Sequence, residues 1–140
     1  MADTARTWAI KQALQERLRQ IRVANGYRTD AGADVRLEES QFAPTAPVIT
    51  IYTSSTVRPD GAQRNQREFT LVIEAEVPTA LDNSAFLADS IAEDVEDALD
   101  GFVPMPNALP LSFSESMFIP SPKGVAATVA QLMFSTEFRR

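Results

Sequence analysis

The run over residues 67–77, Arg-Glu-Phe-Thr-Leu-Val-Ile-Glu-Ala-Glu-Val, alternates with period two and contains neither Gly nor Pro. Read as a strand, it puts Phe69, Leu71, Ile73, Ala75 and Val77 on one face. Glu68, Thr70, Glu74 and Glu76 fall on the other, with Val72 as the exception. At about 3.3 Å per residue it spans roughly 35 Å, long for a strand in a small domain. Pro78 has no ladder donor and marks its end. The expected spine therefore belongs to a sheet with one dry face, which other elements must cover, and one wet, acidic face.

A chain of 140 residues accommodates one domain with a sizeable core, so residues 1–140 are read as a single unit. There is no cysteine and no histidine. Those absences remove disulfides, the usual zinc sites, Ser-His-Asp and Cys-His arrangements, and the commonest general base at neutral pH. No apolar run reaches the roughly 18 residues a membrane span needs, and no signal peptide opens the chain. Net charge is −6, unevenly spread. The first 36 residues hold seven basic and four acidic side chains, the remainder six and fifteen. A basic end and an acidic body suit head-to-tail packing of like subunits or an oppositely charged protein partner, and argue against tight nucleic-acid binding.

Residues 4–24 read as a helix, with Ile10, Leu14, Leu18 and Ile21 on one stripe. Asp3 or Thr4 is the expected cap and Asn25-Gly26 the left-handed stop. Trp8 lies off the stripe; packing on the domain's own rim is favoured over an exposed anchor. Residues 35–38 form a short strand, 40–47 a proline-containing loop and 48–53 a β-branched strand. Residues 56–66 carry Pro59-Asp60-Gly61 turn chemistry, and Arg58, Arg64 and Arg67 give this loop a basic tip. It is either solvated or touches a partner.

A second helix spans 84–99, with Leu87, Ile91, Val95, Ala98 and Leu99 inward and Gly101 as stop. Asp89, Glu93, Asp94, Glu96, Asp97 and Asp100 crowd its other side, which reads first as a solvated acidic face and second as a docking surface for a basic segment. Their helical spacing does not suit a calcium loop, whose ligands alternate. Residues 102–110 read as extended linker, and 111–119 and 125–138 as a closing hairpin around Pro120-Ser121-Pro122-Lys123-Gly124. The expected fold is α+β: a mixed or antiparallel sheet of about five strands with two flanking helices, in the order α-β-β-β-α-β-β.

Phosphate-cradling glycine motifs are missing, and the only lysines, Lys11 and Lys123, sit where neither is desolvated into a base. Glu74 and Glu76 share a face about 6–7 Å apart, a glycosidase-like separation. Paired carboxylates on a wet strand are commonplace, so the chain is read as non-enzymatic, without cofactor or metal.

The run Leu18-x-x-Ile21-x-x-Ala24-Asn25-Gly26-Tyr27-x-Thr29-Asp30-x-Gly32-x-x-Val35 is followed by Pro47-Val48-Ile49-Thr50-Ile51-Tyr52. A polar loop, the 67–77 strand and a helix ending Glu96-Asp97-Ala98-Leu99 come next. In order and spacing, the first hundred residues resemble the tail terminator family of tailed bacteriophages. That resemblance implies a virion subunit assembling as a hexameric ring on the head-proximal end of the tail tube. It would end tube polymerisation and present the head-attachment surface. The implied partners are further copies of itself, the tail tube protein, a head-completion or neck protein and the tape measure protein. DNA would only pass through the channel, and no membrane is involved.

In a ring each subunit needs two complementary faces. The expected interface residues are Arg17, Arg19, Arg22, Arg58, Arg64, Arg67, Asp94 and Asp97, and Glu68, Glu74 and Glu76 are the expected channel face. The competing readings are another neck protein and a small α+β ligand-binding module.

Overall fold

The computed structural model describes residues 4–38, 45–61, 63–119 and 127–139. Two helices and five strands follow in the order α1 (Arg6–Leu18), β1 (Val35–Arg36), β2 (Val48–Val57), β3 (Gln66–Pro78), α2 (Ser84–Leu99), β4 (Ser112–Ile119) and β5 (Ala127–Arg139). The strands form one sheet in the spatial order β1-β2-β3-β5-β4. β1 runs parallel to β2 and every other pairing is antiparallel, so the α+β class, the mixed sheet and the element order are as expected.

The long alternating strand is the middle of this sheet. β3 pairs with β2 on one side and, along its full length, with β5 on the other. Phe69, Leu71, Ile73, Ala75 and Val77 are all fully buried. Ala130, Leu132, Phe134, Thr136 and Phe138 of β5 continue the same dry face. Phe69 meets Phe138 edge-on at 6.1 Å, and Phe113 meets Phe134 edge-on at 5.6 Å. Both helices lie over this face, with α2 against β3 and β5 and α1 beside α2 and β1. Burying each large side chain there contributes about 1.5–3 kcal/mol, so this layer supplies most of the folding drive.

The first helix is shorter than its periodicity predicts. It ends at Leu18, and residues 19–20 turn. Ile21 nevertheless stays in the core, its N–H donating to the Leu18 carbonyl at 3.0 Å across that turn. Its carbonyl is then free to accept the Gly32 N–H at 3.0 Å. Gly26, with φ of 93°, closes the 3-10 turn Val23–Asn25 and not the helix itself. Ala5 and not Thr4 occupies the N-cap, without a side-chain cap.

Gly32 is required by space. A Cβ there would lie 2.6 Å from the Arg19 carbonyl oxygen and 2.7 Å from that of Leu18. The second 3-10 turn (Ala31–Ala33) therefore packs directly on the backbone at the end of α1.

The 102–110 segment is more than a linker. Leu109 N–H donates to the Glu137 carbonyl and Arg139 N–H to that of Asn107, tying the segment to the end of β5. Asp3, residues 39–44, Ala62 and residues 120–126, with the expected turn and Lys123 and Val125, lie outside the described residues.

Candidate interaction surfaces

Asp94 departs most from its sequence reading. Spacing put it on a solvated acidic face, yet it is 0% exposed. Its Oδ2 accepts from the Thr29 N–H at 2.9 Å and the Thr29 hydroxyl at 2.8 Å. Its Oδ1 accepts from the Arg28 N–H at 3.0 Å and from Arg28 Nη1 at 3.1 Å. The Arg28 guanidinium reaches on to Asp97 at 2.8 Å and Glu93 at 3.2 Å. Hydrogen bonds to Asp97 and then Asp94 raise the already high pKa of Arg28 further. This cluster fastens the Tyr27-Arg28-Thr29 stretch to α2. Sequence reasoning did not single out Arg28.

The basic side chains in and just after α1 divide between interior and surface. Arg17 donates Nε–H to the Ala98 carbonyl at 2.9 Å and stacks over Phe102 at 5.3 Å, so it works inside the subunit. Arg19, just past the helix end, pairs with Glu16 of α1 at 2.6 Å. Arg22 is exposed beyond the helix end. Trp8 is half-buried, with Lys11 Nζ 5.1 Å from its ring centre. The basic first helix and acidic second helix are thus neighbours within one chain, but the cation that pairs with the α2 carboxylates is Arg28, from the segment after α1.

The β2–β3 connection projects as an arm. β2 extends beyond the expected Thr53 to Val57, with a bulge between Thr53 and Ser55, and residues 53–57 are exposed. At the tip stand Arg58 and Arg64, both exposed, while Arg67 turns inward to donate to the Arg64 and Gln66 carbonyls at 2.7 and 2.9 Å. Among the described residues neither Arg58 nor Arg64 meets a carboxylate.

The uncovered sheet face is less uniformly acidic than its alternation suggests. Glu68 is exposed; Glu74 accepts from Gln131 Nε2 at 2.9 Å. Glu76 is half-buried, and its charge adds to that of Asp34 in raising the Arg36 pKa, the Asp34 hydrogen bond being the larger cause. Between these ends Val72 lies opposite Tyr52 on one side and Met133 on the other. An apolar band therefore crosses the acidic face. The alternation's exception marks it.

A fourth surface lies between α2 and the edge strand β4. The helix layer stops short of β4, leaving an open groove of about 410 Å³. Its floor is Leu132, Phe113 and Phe118 of the sheet, the last 49% exposed, and Asp89, Ala92, Glu93 and Glu96 stand along its helix side. Among the described residues no group of three or more metal-binding side chains occurs, and no helix is long and apolar enough to cross a membrane.

No protein-family model matches the chain, and no curated protein matches it. Solved structures do share its fold. A chain described as "Virion of native gene transfer agent (GTA) particle" aligns with a TM-score of 0.70 at 17% identity, over 99% of this chain and 100% of that one. Another solved chain aligns with a TM-score of 0.56 at 13% identity, over 98% of each. The likeness at these identities is one of fold, end to end.

Proposed function

We propose that the protein is a structural virion component of a phage-like particle, and within that class a tail terminator. The observation that carries this reading is the end-to-end fold shared with a chain of a gene transfer agent virion. The ordered motifs of the first hundred residues point the same way, toward the tail terminator family. The four surfaces described above are open and suited to contact between macromolecules.

In this role the subunit closes a hexameric ring on the tail tube, ends its growth and offers the other rim to a head-completion or neck protein. Arg19, Arg22 and Asp97 remain on the surface for subunit contacts, together with Arg58 and Arg64 on the arm. Glu68, Glu74 and Glu76 face the channel, where like charge keeps passing DNA from sticking. The action is assembly, without catalysis.

Negative-stain microscopy of the protein mixed with purified tubes of its own phage tests this. The expected image is a ring seated on one end of each tube. Particles spread along the tube wall, or absent from both ends, would contradict the assignment.

A further inference from the structure

We propose that the β2–β3 arm of one subunit docks, through Arg58 and Arg64, into the α2–β4 groove of a second copy. This deepens the ring reading and rests on it. The groove has the chemistry that receives guanidinium groups. Its aromatic floor offers Phe113 and Phe118, and Asp89 and Glu96 stand beside it without a cationic partner among the described residues. A planar guanidinium stacks on an aromatic face while pairing with a carboxylate, and an ammonium does this less well. Glu93 is already engaged by Arg28.

The arm supplies the complement. Arg58 and Arg64 are exposed and unmatched by any carboxylate among the described residues, and Val57 beside them is 52% exposed. Within one subunit the two do not meet: no arm residue lines the groove. β2 and β4 are three strand spacings apart in the sheet. Val57 aligns through Glu68 with Glu137, whereas Phe118 aligns with Ala130. At about 3.3 Å per residue and about 4.8 Å per strand, that offset puts Val57 roughly 25–30 Å from Phe118 and about 17 Å from Phe113, which aligns with Phe134. A contact between different corners of two copies is heterologous, the kind that closes rings.

Two charge-reversed variants test the contact, Arg58→Glu/Arg64→Glu on the arm and Asp89→Arg/Glu96→Arg in the groove; a third, Asp89→Asn/Glu96→Gln, replaces the reversed groove variant if that one does not fold. Folding is checked by circular dichroism, and self-association by sedimentation velocity, alone and with tail tubes. Each charge-reversed variant is expected to associate at least about tenfold more weakly than the unaltered chain in low salt. An equimolar mixture of the two is expected to recover association, because every arm then meets a groove of opposite charge. Association unchanged in both variants, or a mixture of folded variants that fails to recover it, overturns the arm-in-groove contact and leaves the ring reading standing. An unaltered chain that never associates, alone or on tubes, overturns the ring reading as well.

Discussion

The Asp94 carboxylate and Thr29 form a closed pair: one carboxylate oxygen accepts both the Thr29 N–H, at 2.9 Å, and the Thr29 hydroxyl, at 2.8 Å. Both residues are buried, so neither donor has water as a substitute. Asp94→Asn keeps the volume but leaves too few acceptor sites for these donors. It is expected to cost about 3 kcal/mol, whereas Asp97→Asn on the exposed side of Arg28 costs under about 1 kcal/mol. Urea denaturation of both variants checks this. Equal midpoints would show that the buried carboxylate is dispensable.

Gly32 and the Arg19 and Leu18 carbonyls set a second limit. Gly32→Ala forces a methyl into a gap already closed by backbone, which cannot rotate away as a side chain would. The expected loss is about 2–3 kcal/mol in thermal or urea unfolding. At Gly26, whose Cβ would meet nothing within 4 Å, alanine is opposed only by the positive φ and costs about 1 kcal/mol. The reverse order would contradict the packing described.

Arg17 and Arg22 separate fold from assembly. Arg17→Ala removes a hydrogen bond to Ala98 and a stacked cation over Phe102, for an expected loss of about 1–2 kcal/mol. Arg22→Ala is expected to change stability by less than about 0.5 kcal/mol. Charge reversal at Arg19 and Arg22 should then weaken ring formation in low salt with the fold intact. Unchanged ring yield from folded Arg19→Glu/Arg22→Glu protein would remove these two from the interface.

The channel assignment predicts a gain of binding. Rings carrying Glu68→Lys, Glu74→Lys and Glu76→Lys are expected to retain double-stranded DNA that unaltered rings release, with salt-dependent affinity in fluorescence anisotropy. Unaltered rings that bind DNA as tightly as the lysine variant would place the acidic face elsewhere.

Much of this architecture was legible because one strand declares its faces. The Phe69-to-Val77 alternation predicted the buried side, and β5 repeats it from Ala130 to Phe138. The Ser84–Leu99 helix and its stop at Gly101 were also readable, since apolar spacing and a following glycine are local signals. What failed was non-local. Periodicity carried α1 through Ile21 because Ile21 is indeed buried, although a turn and not a helix puts it there. Asp94 looked solvated because its neighbours are acidic; only the arrival of Thr29 and Arg28 from a distant segment makes its burial affordable. The α2–β4 groove was invisible for the same reason. It depends on where the helix layer ends over the sheet.

In the proposed role this subunit halts tube growth by assembling on the tube end. Purified tube subunits polymerised with increasing amounts of the protein, and measured by electron microscopy, test it most directly. Tubes that shorten progressively, with the protein found at their ends, are the predicted result. A length distribution indifferent to the protein at every ratio would contradict it.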